Sequence, residues 1–79
     1  MDRPEPMPSA RRRVLEALAA GHRTQSAIGR ELGVRHEAAK RDLAMLVGGG
    51  HAENSGEKSP GGETVYRLTE RGAALAGGR

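Results

Sequence analysis

The sequence predicts an α+β domain: a core of three short helices, then two or three strands forming a hairpin, then a short closing helix. Two observations carry this expectation. Residues 24–46 read as two helices broken at Gly33, each with apolar residues recurring at three- and four-residue steps. Residues 51–68 hold two stretches of strand character on either side of GEKSPGG, a run made of turn residues. The core must be small. Among 79 residues the large aliphatics are seven Leu, four Val and one Ile, joined by three Met and a single aromatic, Tyr66. At about 25 cal/mol per Å² of buried apolar surface, such a monomer is expected to be only marginally stable.

Taken in order, residues 1–8, MDRPEPMP, hold three of the four prolines and no periodicity, so they are expected to be a disordered leader. Ser9 is placed to cap a first helix that runs to about Ala20 and stops at Gly21, with Val14, Leu15 and Leu18 as its core stripe. Arg11, Arg12 and Arg13 fall in its first turn, where the helix dipole disfavours positive charge. They are either a solvated basic surface or a contact to phosphate. His22 and Arg23 are a candidate for a very short strand.

The second helix is expected over 25–32, with Thr24 as its cap and Gly33 as its left-handed stop. The third is expected over 36–47. Ala39, Leu43, Leu46 and Val47 share its core stripe, and Arg41 projects almost opposite, with Glu37, Lys40 and Ala44 beside it. Gly48, Gly49 and Gly50 end that helix. Residues 51–55 form a first strand, 56–62 the hairpin tip and 63–68 the second strand, with Tyr66 and Leu68 turned inward. Thr69 caps a last helix over 70–76, whose Ala73, Ala74 and Leu75 offer an apolar side for the core or for a second copy. The domain is thus expected over 9–77, with 78–79 as a tail.

Charge is unevenly spread. The net charge is +3, yet residues 9–41 carry eight basic against three acidic residues, and residues 42–79 four against five. A basic half containing an exposed helix face suits a polyanion. There is no cysteine, and His22, His36 and His51 match no ligand-pair spacing, so no metal or cofactor is expected. Neither a phosphate-binding loop nor a nucleophile constellation is present, which argues against an enzyme. No apolar run reaches the length of a membrane span, and a cytoplasmic protein is expected.

The order of these elements resembles the winged helix-turn-helix regulators of bacteria. Ile28, Gly29, Leu32, Gly33, Val34, Ala39, Arg41, Leu43 and Leu46 fill the family's helix-turn-helix pattern, and VYRLTERGAAL, residues 65–75, is similar to the second wing strand and following helix of multiple-antibiotic-resistance-type regulators. The resemblance implies a three-helix core with a two- or three-stranded wing and a short C-terminal helix. Two positions depart from the pattern. Arg35 stands where a Ser or Thr commonly caps the third helix, and His51 stands where a large aliphatic is usual.

The resemblance also implies a small, sequence-specific, double-stranded DNA-binding transcription regulator, a repressor or accessory factor, with helix 36–47 in the major groove. Arg35, His36 and Glu37 would lie near the backbone and first base edges, with Lys40 and Arg41 deeper. Arginine can bond guanine O6 and N7, and Glu37 can accept from cytosine N4. Thr24, Gln25 and Ser26 would meet phosphate at the start of the second helix, while Lys58 at the wing and Arg12 at the flank are further phosphate candidates. One such helix covers few base pairs. A homodimer on an inverted repeat, or a protein partner in a larger assembly, would supply the missing discrimination. The alternative is a winged-helix protein–protein interaction module without DNA binding, for which the acidic wing and His51 speak. Structured RNA is less favoured, because Tyr66 is expected in the core and leaves no stacking platform.

Overall fold

The computed structural model describes residues 7–77; residues 1–6 of the expected leader and the tail 78–79 lie outside them. The elements follow in the order α1 (Ser9–Ala19), α2 (Gln25–Leu32), α3 (His36–Gly48), β1 (Ala52–Lys58), β2 (Thr64–Leu68) and α4 (Glu70–Gly77). Helices α1, α2 and α3 pack on one another, the β1–β2 hairpin leans against α1 and α3, and α4 packs on α1 and β2.

The core is the set of side chains that the helical periods bring together. Val14, Leu15, Ala17 and Leu18 come from α1, Ile28 from α2, Ala39, Leu43 and Leu46 from α3, and Ala52 from β1, all buried. Val47, expected on the same stripe, is instead 40% exposed. Helical geometry puts it at the margin: at about 100° per residue, Ala39, Leu43 and Leu46 span a narrow arc, and Val47 falls roughly 70° from its centre, where the neighbouring elements decide which way a side chain faces.

The first helix does not begin as its sequence suggests. Pro8 is the N-cap, its carbonyl accepting from the Arg12 N–H at 3.0 Å, and no side chain caps the helix; Ser9 is already its first residue. Met7, assigned to the leader by the prolines around it, is half-buried against the core. The far end of α1 is closed by Gly21 at φ 104°, with the Gly21 N–H on the Leu18 carbonyl and the His22 N–H on the Ala17 carbonyl. This two-bond pattern satisfies carbonyls that the helix leaves unpaired.

The hairpin is two-stranded and antiparallel, pairing Ala52 with Leu68, Glu53 with Arg67, Asn54 with Tyr66 and Lys58 with Thr64. The expected third strand at His22 and Arg23 reduces to one bond, from the Tyr66 N–H to the Arg23 carbonyl at 2.8 Å. Strand β1 also runs further than expected, through Gly56 to Lys58, and β2 starts at Thr64 rather than at the expected Glu63, leaving 59–63 as the turn. A bulge makes this extension possible: three residues of β1 face the single residue Val65 between the paired ends. Gly56 has φ 87°, and the side chains of Asn54 and Ser55 bond the backbone there, Asn54 Oδ1 accepting from the Gly56 N–H and Ser55 Oγ donating to the Val65 carbonyl.

His51 lies just before β1 rather than in it. It is 7% exposed, its N–H donates to the Leu46 carbonyl and its own carbonyl accepts from the Thr69 N–H. Thr69 caps α4 as expected, accepting from the Gly72 N–H, and its hydroxyl also donates to the Gly50 carbonyl at 2.6 Å. The packed side of α4 is shifted from the expected one. Ala73 and Ala74 are exposed, while Gly72 is buried and Leu75 and Ala76 are half-buried against the core. Positions 72, 75 and 76 are one helical stripe.

Candidate nucleic-acid interface

Local chemistry builds the junction of α2 and α3. Thr24 Oγ1 accepts from the Ala27 N–H at 3.2 Å, satisfying one amide of the first turn of α2, and Gly33 takes φ 65° to stop the helix. Gly29 leaves room for the returning chain; a Cβ there would stand 3.4 Å from the Val34 carbonyl oxygen. The start of α3 is then tied back to α2, because Gln25 Nε2 donates to the His36 carbonyl at 3.2 Å. Arg35 is the N-cap of α3 and forms no side-chain cap bond.

Beyond this turn, Arg35, His36, Glu37, Lys40 and Arg41 are all exposed. Arg35, Lys40 and Arg41 form no ion pair with another described residue, as is also true of the exposed Arg13, Arg23 and Arg30; what sets the three apart is that they stand together on the cap and face of one helix. Several other positive charges are taken up. Arg11 Nε faces Asp42 Oδ1 at 3.7 Å, Arg12 Nε faces Glu16 Oε2 at 3.8 Å, and Arg67 Nε donates to Glu53 Oε2 at 2.7 Å across the hairpin. The Arg11 contact is a charge contact only: at 3.7 Å it is too long for a hydrogen bond, and the buried Nε has no hydrogen-bond partner among the described residues. Lys58 Nζ donates to Thr64 Oγ1 at 3.2 Å, so the cation nearest the tip of the wing leans on its own hairpin.

An open groove of about 330 Å³ separates the hairpin from the helices, lined by Gln25 and His36 on one side and by Gly62, Glu63, Thr64 and Tyr66 on the other. The hairpin is held there by two links. One is the Tyr66 to Arg23 backbone bond; the other is Glu63 Oε1, which accepts from the Ser26 N–H in the first turn of α2 at 3.2 Å. Glu63 is fixed from its own side as well, its N–H donating to Ser59 Oγ and its carbonyl accepting from the Ser59 N–H.

Solved structures with this arrangement are regulators. ZitR of Lactococcus lactis, in a mutant form, superposes with a TM-score of 0.84 at 18% identity, covering 99% of this chain and 53% of its own. The fold is the MarR-type winged helix. A MarR family regulator from Neisseria meningitidis matches at 28% identity and TM-score 0.75, over 89% of this chain and 50% of its own. Wild-type MarR of E. coli matches at 25% identity and TM-score 0.80, over 91% and 54%. The chain therefore spans about half the length of the solved structures it matches. No protein-family model matches the sequence, and no curated protein does.

Within this MarR-type winged helix, the expected site residues fall into three groups. Thr24, Gln25 and Ser26 open α2, and Arg35, His36, Glu37, Lys40 and Arg41 occupy the cap and exposed face of α3, with Gln25 and His36 meeting at the groove. Lys58 ends β1 on the hairpin. Arg12 stands apart on α1, where Glu16 takes up its charge. Glu63 was legible in the sequence only as the first residue of a strand; its contact with Ser26 joins positions 37 apart, and no local pattern signals it. Among the described residues no group of three or more His, Asp or Glu is placed to hold a metal ion, and no helix is long and apolar enough to cross a membrane.

Proposed function

We propose that this chain is the DNA-reading part of a transcription regulator, placing α3 in the major groove of double-stranded DNA. The observation that carries the reading is a cluster of cations: Arg35, Lys40 and Arg41 stand together on the cap and face of α3, exposed and without an ion pair among the described residues, whereas Arg11, Arg12 and Arg67 face acids and Lys58 leans on Thr64. An unpaired guanidinium presents a flat two-donor fork that matches guanine O6 and N7, and a lysine ammonium supplies a point charge to phosphate. Glu37 on the same face favours a cytosine amino group and disfavours a nearby phosphate, which gives the face a preference among sequences. Likeness to regulators of known fold supports the same reading.

The rest of the interface follows from geometry. Thr24, Gln25 and Ser26 approach the backbone from the start of α2, and Lys58 from the hairpin, where it adds one charge at most. Arg12 contributes at the flank only after leaving Glu16. A single α3 reads few base pairs, so the DNA-bound form is a symmetric pair of copies on an inverted repeat.

Binding to random-sequence duplex DNA at two salt concentrations tests the proposal, with a Lys40→Ala, Arg41→Ala double variant alongside. Affinity that falls steeply with salt and is lost in the variant is the expected result. Absence of binding at low salt would sink the proposal and leave a protein-interaction module as the reading to pursue.

A further inference from the structure

We infer that Glu63 is an autoinhibitory acid: its carboxylate holds the hairpin on α2 and opposes the approach of DNA phosphate to the start of that helix. The inference rests on the DNA-binding reading and deepens it. Two separate features of the structure support it. The first is the contact itself, Glu63 Oε1 accepting from the Ser26 N–H at 3.2 Å, in which an anion from the hairpin takes up an amide of the first turn of α2. The second is the groove, which sets Glu63 and Thr64 on one wall opposite Gln25 and His36, the first residues of α2 and α3. A duplex seated on α3 runs its backbone past this groove, so a carboxylate in the wall both repels the phosphate and occupies a donor that the phosphate would use.

The acid is not held by any cation that would cancel it. Its oxygen bonds a neutral amide, and it forms no ion pair with another described residue. Its backbone is pinned by Ser59 on the turn of the hairpin, so the carboxylate cannot leave without the turn moving or the side chain rotating away. DNA binding therefore competes with an internal link. Sequences or conditions that displace Glu63 would free the Ser26 N–H at the start of α2 and leave the hairpin held by the Tyr66 to Arg23 bond alone of the two links.

Charge and hydrogen bond are separable by substitution. Glu63→Gln keeps an oxygen that can accept from the Ser26 N–H and removes only the charge, while Glu63→Ala removes both. Glu57→Gln is the charge-matched control, because Glu57 lies exposed on β1 and its carboxylate forms no hydrogen bond or ion pair among the described residues. Binding to random-sequence duplex DNA at low salt is measured for the protein and the three variants. Competition predicts that E63Q and E63A bind at least about threefold tighter than E57Q, since they remove a charge that lies against the first turn of α2, whereas Glu57 touches no helix end among the described residues. Equal tightening in E63Q and E57Q would mean that only net charge matters and would overturn the inference. Weaker binding by both E63Q and E63A would overturn it too, by making Glu63 a support that DNA binding needs. If no form bound DNA at low salt, the DNA-binding reading itself would fall and take the inference with it; tight binding by the unaltered protein with no advantage to E63Q removes the inference alone.

Discussion

Gly72 in α4 is packed directly on the backbone of His51: a Cβ at position 72 would overlap the His51 carbonyl oxygen and crowd its carbonyl carbon and Cα. The closeness follows from the hydrogen bonds around it. The same His51 carbonyl accepts from the Thr69 N–H, and Thr69 caps α4 while donating to the Gly50 carbonyl, so the helix starts against the segment that leads into β1. His51 is buried at this joint, where the resemblance leads one to expect a large aliphatic.

Gly72→Ala is accordingly expected to destabilise the protein, although alanine is the better helix former. Backbone has to move, at about 1–3 kcal/mol or more for overpacking, against a gain of about 1 kcal/mol in helix propensity. For a domain of this size each kcal/mol corresponds to roughly 4–8 °C in Tm, so a thermal melt resolves the effect. An unchanged or raised Tm would show that α4 can slide off His51 freely.

Gly48→Ala is the opposite case. Gly48 is the last residue of α3, has no positive φ, and nothing lies within 4 Å of the place its Cβ would take. The substitution is expected to stabilise by about 0.5–1 kcal/mol, through helix propensity and a less flexible unfolded chain. The same melt checks it, and a loss of stability would mean that this end of α3 needs glycine for a reason other than space.

The pair of Arg11 and Asp42 joins α1 to α3 with side chains 25% and 14% exposed, whereas Arg12 and Glu16 meet on one helix with side chains 34% and 56% exposed. Asp42→Asn is expected to cost about 1 kcal/mol and Glu16→Gln no more than about 0.5 kcal/mol, because water screens the second pair. Urea unfolding at low and high salt compares them. Equal small costs would show that the 3.7 Å contact without a hydrogen bond contributes no more than a surface pair.

Thr24→Ala removes the side chain that accepts from the Ala27 N–H and should cost about 1 kcal/mol of stability. Arg41→Ala removes an exposed side chain without an ion pair among the described residues and should leave stability within about 0.5 kcal/mol. On the proposed function, Arg41→Ala should instead weaken binding to a selected DNA site by about 1–3 kcal/mol. Melts and duplex titrations on both variants separate the roles, and a stability loss in Arg41→Ala comparable to that of Thr24→Ala would remove Arg41 from the reading face.

Local patterns in the sequence determined most of the secondary structure and the helix-turn-helix. Thr24, Gly33 and the spacing of Ile28, Ala39, Leu43 and Leu46 act within one or two turns of their own positions, and the structure keeps α2 at the expected residues and α3 within one residue of them. The exposed set Arg35, Lys40 and Arg41 was legible for the same reason, as the side of a helix opposite its apolar stripe. Ends and edges were less so: Pro8 rather than Ser9 is the N-cap of α1, and a bulge carries β1 to Lys58, because caps and bulges depend on which neighbouring backbone group is in reach. Only the tertiary structure decided that Val47 faces outward, that α4 packs through Gly72 rather than Ala73, that Arg11 meets Asp42, and that Glu63 reaches Ser26. The two pairings join residues more than 30 positions apart, and Val47 and Gly72 are settled by which neighbouring elements pack against α3 and α4. Pattern within a single helix or strand carries no information about either.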